Sequence, residues 1–113
     1  CPMQLLRRYP GFAVTPAVQT DLDRIESLWA LARDRHGHAG PWLFGDYSLA
    51  DVFFAPVAAR IMGYDLPVGP AASAYVSRHL SDPAFREWRR EGLKVSYEVE
   101  PYAMDLPSGP WPD

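Results

Sequence analysis

The sequence predicts an all-α fold, a bundle of about five helices followed by an extended C-terminal arm. Two observations support this fold class. A capping sequence at 48–51 leads into an apolar run, as at the start of a buried helix. Before it, apolar residues recur at alternating steps of four and three, which is the periodicity of an amphipathic helix. The members of this stripe are Val18, Leu22, Ile25, Trp29 and Ala32.

The first predicted helix covers residues 1–9. Met3, Leu6 and Tyr9 lie at helical spacing, and Pro10-Gly11 follows as a stop signal. A helix of about two turns is too short to be stable alone in water. We therefore interpret the segment as the second half of a truncated helix.

The second predicted helix has the clearest start and stop signals. Thr15 is a good N-cap, and Pro16 follows it at the first helical position. The apolar stripe comes next, and Arg33 and Arg35 lie near the end, where cations interact favourably with the helix dipole. Gly37 is predicted to end the helix.

The third predicted helix is the central one, and it begins with a capping box. Ser48 can accept a hydrogen bond from the Asp51 amide, while the Asp51 carboxylate accepts one from the Ser48 amide. We interpret this pair as structural rather than catalytic, because the spacing satisfies helix-end amides directly. The residues that follow, to about Met62, are apolar on nearly every side, as expected for a buried helix. Pro56 lies within this helix.

Two shorter helices are predicted over about 71–80 and from Pro83 to about Glu91. We interpret His79 as a favourable charge at the end of the first one. From 93 to 100, apolar and polar residues alternate, which is typical of an extended segment. Without a partner strand, this segment is expected to lie on the helices as an arm, with irregular chain from Pro101 onward.

The domain prediction is therefore a helical domain over residues 1–92 and an extended tail over 93–113. The net charge of −3 and the absence of a long apolar run predict no nucleic-acid or membrane partner. A single cysteine fits a reducing, cytoplasmic compartment. That residue, Cys1, stands where a complete gene product would carry methionine, so we expect the chain to begin partway through a larger protein.

The stretch from Gly40 to Asp51, Gly-Pro-Trp-Leu-Phe-Gly-Asp-Tyr-Ser-Leu-Ala-Asp, carries a family resemblance. It resembles the junction before the core helix of the glutathione S-transferase C-terminal domain. The continuation at 54–60 is similar to a bacterial branch of that family. Residues 1–8 resemble the second half of the domain's first helix, and residues 83–88 fit its closing helices. The resemblance extends over residues 1–92.

The resemblance implies that glutathione, the co-substrate, binds to a thioredoxin-like N-terminal domain, which this chain lacks. The helical domain would supply the wall of a pocket for an electrophilic small molecule and part of a homodimer interface. No catalytic residue and no bound cofactor are implied for this chain alone. The wall residues placed by resemblance are Met3, Gln4, Arg7, Phe54 and Tyr64. For each of them, a plain core or surface role remains the alternative.

Two functions stay open at this point. In the first, the parent protein conjugates glutathione to electrophiles, and this chain alone is inactive. In the second, the chain is a free-standing helical module of the same fold that binds other proteins. An unrelated bundle that shares only the capping box is a third possibility. His36 and His38 flank a glycine without a third ligand nearby, so no metal site is predicted.

Overall fold

The computed structural model of the protein describes residues 1–95, 97, 100, 102 and 104–112. In this part of the chain, helices account for most of the structure, which confirms the all-α class. The four α-helices are α1 (Pro16–His36), α2 (Leu49–Gly63), α3 (Pro70–Ser81) and α4 (Pro83–Gly92). A 3-10 turn over Gly37–Ala39 follows α1. Two short strands, β1 (Arg7–Arg8) and β2 (Gly109–Pro110), pair near the ends of the chain.

Helix α1 forms as its signals predict. The Thr15 hydroxyl accepts a hydrogen bond from the Val18 amide at 3.3 Å, so threonine is the N-cap. Leu22 and Trp29 are buried, and the other members of the apolar stripe pack against the same core. The stripe therefore faces the rest of the bundle, and α1 ends just before Gly37.

Helix α2 occupies the centre of the fold and packs mainly against α3. Ala58 and Ala59 are fully buried, and their small side chains let neighbouring elements approach α2 closely. Pro56 lies inside the helix. Helices α3 and α4 follow within a residue of their predicted bounds, and α4 ends at Gly92, where the sequence places the end of the helical domain.

The core where α1, α2 and α3 meet is rich in aromatic rings. Trp29 of α1 packs edge-to-face on Tyr75 of α3, with ring centroids 4.6 Å apart. On its other side, Trp29 meets Phe54 of α2 at 5.4 Å, again edge-to-face. Such pairs contribute about 0.5–1.5 kcal/mol each beyond the burial of their surface. The three helices are thus joined through one tryptophan.

The predicted helix over residues 1–9 is wrong. Arg7 and Arg8 form strand β1, and the Tyr9 amide donates to the carbonyl of Gly63 at 2.7 Å. The side-chain oxygen of Gln4 accepts from the amides of the two residues that follow it, at 3.0 and 2.9 Å. Such local bonds compete with a helix that is too short to nucleate well. Among the described residues there are therefore four α-helices rather than about five.

The prediction of irregular chain from Pro101 onward is wrong for the end of the tail. Strand β2 pairs antiparallel with β1, so that Arg7 lies opposite Pro110 and Arg8 opposite Gly109. The next residue, Trp111, is 7% exposed. The predicted alternation at 93–100 falls partly on Ser96, Glu98 and Val99, which lie outside the described residues.

Candidate functional site

Asp51 is the centre of a buried polar cluster, with 0% of the residue exposed. Its Oδ2 accepts from the Ser48 amide at 2.8 Å and from the Ser48 hydroxyl at 3.1 Å. Its Oδ1 accepts from the Tyr75 hydroxyl at 2.7 Å and from the Leu43 amide at 3.4 Å. The structure thus contains the capping box. The same carboxylate also joins α2 to α3 and to the preceding loop.

The loop before α2 is held in a tight turn that positions the Leu43 amide. Trp42 and Gly45 exchange two backbone hydrogen bonds, each 3.1 Å long. Gly45 has a φ of 91°, a conformation that side chains disfavour. A Cβ on Gly40 would lie 2.3 Å from the Gly45 carbonyl oxygen, so only glycine fits there. The glycines that bound this loop are therefore required by its backbone.

Tyr75 and His79 extend the cluster along α3. They lie one helical turn apart on the same face, with ring centroids 4.6 Å apart. Burial raises the pKa of Tyr75, and the hydrogen bond to Asp51 and the charge of Asp51 raise it further. Tyr75 is therefore a neutral donor at any physiological pH. Sequence reasoning missed its contact with Asp51, which depends on how α3 packs on α2.

His79 is buried in the same cluster, with Trp42 edge-to-face at 5.2 Å. Burial lowers its pKa, and the carboxylates of Asp51 and Asp82 only partly oppose that shift. The prediction that His79 acts as a charge at the helix end is therefore wrong, because burial favours the neutral ring. Within the described part of the chain, its Nε2 has no hydrogen-bond partner.

Because His79 is buried in this cluster, we expect the free energy of unfolding to depend on pH. Because the pKa of His79 is lower in the folded protein than its ordinary value of 6.5, the unfolded chain takes up a proton first as the pH falls. The free energy of unfolding should therefore decrease below about pH 6.5 and level off below the native pKa. Urea unfolding measured from pH 7.5 to 5 would reveal this slope.

His79→Leu should reduce the change in the free energy of unfolding between pH 7.5 and 5, whatever its effect on stability at neutral pH. His38→Gln is the matched control, since His38 is exposed and its replacement should leave the slope unchanged. An unaltered slope in His79→Leu would contradict the assignment.

The cluster is built for structure rather than for chemistry on a ligand. Both oxygens of Asp51 are occupied by donors, and the Tyr75 hydroxyl is used by Asp51. Asp51, Tyr75 and His79 are all buried. A ligand in solvent has no direct access to these groups.

Four of the five predicted wall residues gather at the N-terminal segment and the end of α2. Gln4 is buried, and Arg7 lies in β1 opposite the tail. Met3 packs against the buried cluster that contains Trp111. Tyr64 is buried, and its hydroxyl donates to the Pro2 carbonyl at 2.8 Å. These side chains mainly hold the N-terminal segment against the bundle.

The fifth, Phe54, lies apart from the other four. It packs edge-to-face on Trp29 of α1, on the side of α2 that meets the core. The structure therefore does not bring the five residues into one group. Their role as the wall of a substrate pocket stays a prediction.

The most conspicuous surface feature is the outer face of α2, which we define as Leu49, Val52 and Phe53. Leu49 is 73% exposed and Phe53 is 77% exposed. These residues lie opposite the buried side that carries Asp51 and Ala58. Three of the first five residues of this apolar helix are thus left exposed, whereas the rest of α2 is buried or half-buried. Large apolar side chains grouped in this way mark interaction surfaces.

Comparisons of the chain with protein-family models, curated proteins and solved structures gave no match. None of the helices in the described ranges has the length and apolar character needed to cross a bilayer. No group of three or more His, Cys, Asp or Glu residues in those ranges is placed to hold a metal ion.

Proposed function

We propose that this chain is the C-terminal helical part of a cytoplasmic glutathione S-transferase-like protein of the bacterial type. The parent protein conjugates glutathione to electrophilic small molecules. A thioredoxin-like domain outside this chain binds the glutathione, and this chain supplies a wall of the electrophile pocket and part of a homodimer interface. The stretch from Gly40 to Asp51 supports the family, because its capping box and glycine-bounded turn are both formed.

The uncovered outer face of α2 supports the part of this proposal in which the chain packs against further protein surface. A helix that is apolar on all sides is stable in water when it is surrounded. Burying a large apolar side chain such as Leu49 or Phe53 contributes about 1.5–3 kcal/mol. We assign this face to the rest of the parent protein, which would cover it with apolar helical surface. The half-exposed Leu28 and Leu31 of α1 are further apolar surface for that contact.

Within this proposal the isolated chain has no transferase activity. The group that stabilises the glutathione thiolate belongs to the thioredoxin-like domain. The buried carboxylate and hydroxyl of this chain, Asp51 and Tyr75, are occupied by each other and by backbone donors. Substantial turnover of glutathione and 1-chloro-2,4-dinitrobenzene by the purified chain would overturn the proposal.

The outer face of α2 also predicts how the isolated chain behaves in solution. Without its cover, the chain should self-associate in a concentration-dependent way, and Phe53→Glu should shift it toward monomer because a charge then stands at the centre of the apolar face. Sedimentation equilibrium measures this directly. Gln19→Glu, at an exposed position of α1, is the matched control and should behave like the unchanged chain. A monomeric profile of the unchanged chain at every concentration would count against the docking surface.

A free-standing protein–protein interaction module of the same fold is the second candidate. The outer face of α2 favours it equally, because an apolar surface of this kind can receive a partner protein. The two candidates differ in what covers the face, a domain of the same polypeptide or a separate protein.

A further inference from the structure

A second surface feature lies beside α4, a helix to which no role has been assigned so far. A cavity of about 470 Å³ opens between α3, α4 and the C-terminal segment. Leu80, Phe85 and Trp111 form its apolar wall, and Ser77 and Ser81 place hydroxyl groups at it. None of the five predicted wall residues lines it, and neither does the outer face of α2. The volume is within the range of about 300–1,000 Å³ that is typical of small-molecule sites.

The charged groups at this cavity are all positive. Arg86, Arg89 and Arg90 of α4 line it, and no carboxylate does so in the described part of the chain. Their spacing of three and four residues places them on one side of the helix. Arg90 also pairs with Glu87, but both side chains are mostly exposed, so this ion pair is weak. In a chain with a net charge of −3, this is a local concentration of cations.

Two of the arginines are held in place through only part of their guanidinium groups. The Nε of Arg86 donates to the Leu80 carbonyl at 3.3 Å. The Nε of Arg89 donates to the Leu5 carbonyl at 3.1 Å, and its guanidinium lies over the Trp111 ring, 5.3 Å from the centroid. These bonds orient the side chains without using their terminal nitrogens. Among the residues that the structure describes, no partner is recorded for the terminal nitrogens of Arg86 and Arg89. Arginines oriented in this way suit a planar carboxylate, which accepts two parallel hydrogen bonds.

We propose that this cavity binds an aryl carboxylate, with the carboxylate on the α4 arginines and the ring against Phe85 and Trp111. The cavity supplies both halves of that ligand's chemistry, an apolar wall and a set of oriented cations. An inorganic anion would leave the apolar wall unused, and a neutral arene would leave the arginines without a counter-ion. The proposal does not depend on the glutathione S-transferase assignment.

Isothermal titration of the chain with 2-naphthoate tests the proposal, with 2-naphthalenemethanol as the uncharged analogue. We expect one saturable site for the carboxylate and binding of the alcohol about tenfold weaker or more, the usual effect of losing a charged hydrogen bond. The indole N–H resonance of Trp111, assigned with Trp111→Phe, should shift on binding, which separates this cavity from the outer face of α2. Equal affinity for the two compounds, or an unshifted Trp111 resonance, would overturn the proposal.

Arg86→Gln combined with Arg90→Gln should weaken 2-naphthoate binding by about tenfold or more, since two cations are lost. The matched control combines Arg24→Gln with Arg35→Gln, which removes the same charge from exposed positions on α1. Circular dichroism checks that both double variants fold. Similar affinities of the two double variants would show that the arginines of the cavity have no specific role.

Discussion

Asp51→Ala is expected to lower the free energy of unfolding by roughly 1.5–5 kcal/mol, which is a large share of the stability of a small domain. The substitution removes the cap of α2, worth about 0.5–2 kcal/mol. It also leaves the buried Tyr75 hydroxyl without its acceptor, at a cost of about 1–3 kcal/mol. The cap contribution is the bond that the Ser48 amide donates to the Asp51 carboxylate. Urea unfolding followed by circular dichroism measures the total.

Two further variants apportion this effect. Ser48→Ala should cost only about 0.5–2 kcal/mol, because the carboxylate keeps its bond to Tyr75. Tyr75→Phe should cost less than Asp51→Ala, and the double variant with Asp51→Ala should show a coupling energy of about 1.5–3 kcal/mol for the charged hydrogen bond. A loss below about 1 kcal/mol in Asp51→Ala would contradict the central role of this carboxylate.

Trp111→Ala is expected to cost about 3–5 kcal/mol, the usual cost of removing a buried aromatic side chain. Trp111 packs with Ala59 and Phe85 and directly follows the strand that pairs with β1. Its loss should therefore also release the N-terminal segment from the bundle. Thermal or urea unfolding gives the stability, and hydrogen exchange at the Tyr9 amide reports on that segment.

The matched control for this prediction is Trp88→Ala. Trp88 lies on α4 and is 44% exposed, so its removal leaves little cavity and should cost clearly less. Equal losses in the two variants would show that the tail is not anchored through Trp111.

The parts of the fold that sequence reasoning predicted correctly depend on local signals. The Thr15 cap, the stripe of α1 and the Ser48–Asp51 box each involve residues within a few turns of one helix. Such patterns can be recognised in a sequence because helix periodicity and capping involve residues that are only a few positions apart. The bounds of α4 followed from Pro83 and Gly92 in the same way.

The errors all concern contacts between residues far apart in sequence. Residues 1–9 have helical spacing, but their strand partner lies about a hundred positions away, at Gly109–Pro110. His79 stands near a helix end, where a charge would be favourable, yet Trp42 from the loop before α2 packs on it edge-to-face. Its position on α3 does not reveal which loop will fold over it. The same limit explains why the bond from Tyr75 to Asp51 was not predicted.

The two candidate surfaces, the outer face of α2 and the cavity beside α4, were likewise only partly predictable from the sequence. The all-round apolar character of α2 was evident from sequence, but the sequence alone does not show which side stays uncovered. The cavity beside α4 was not predicted, because its wall combines α3, α4 and Trp111 from the tail. The spacing of Arg86, Arg89 and Arg90 was the available signal for it. Only the packed structure shows that the tail supplies the aromatic side of that cavity.

The proposal that this chain belongs to a larger glutathione S-transferase-like protein is tested most directly by the intact mass of the native gene product in its own cells. We expect a mass near twice the 12.7 kDa of this chain, because a thioredoxin-like domain should accompany it. A native mass of 12.7 kDa would contradict this proposal. The helical chain would then be a free-standing module, and the outer face of α2 would be the surface with which to search for its protein partner.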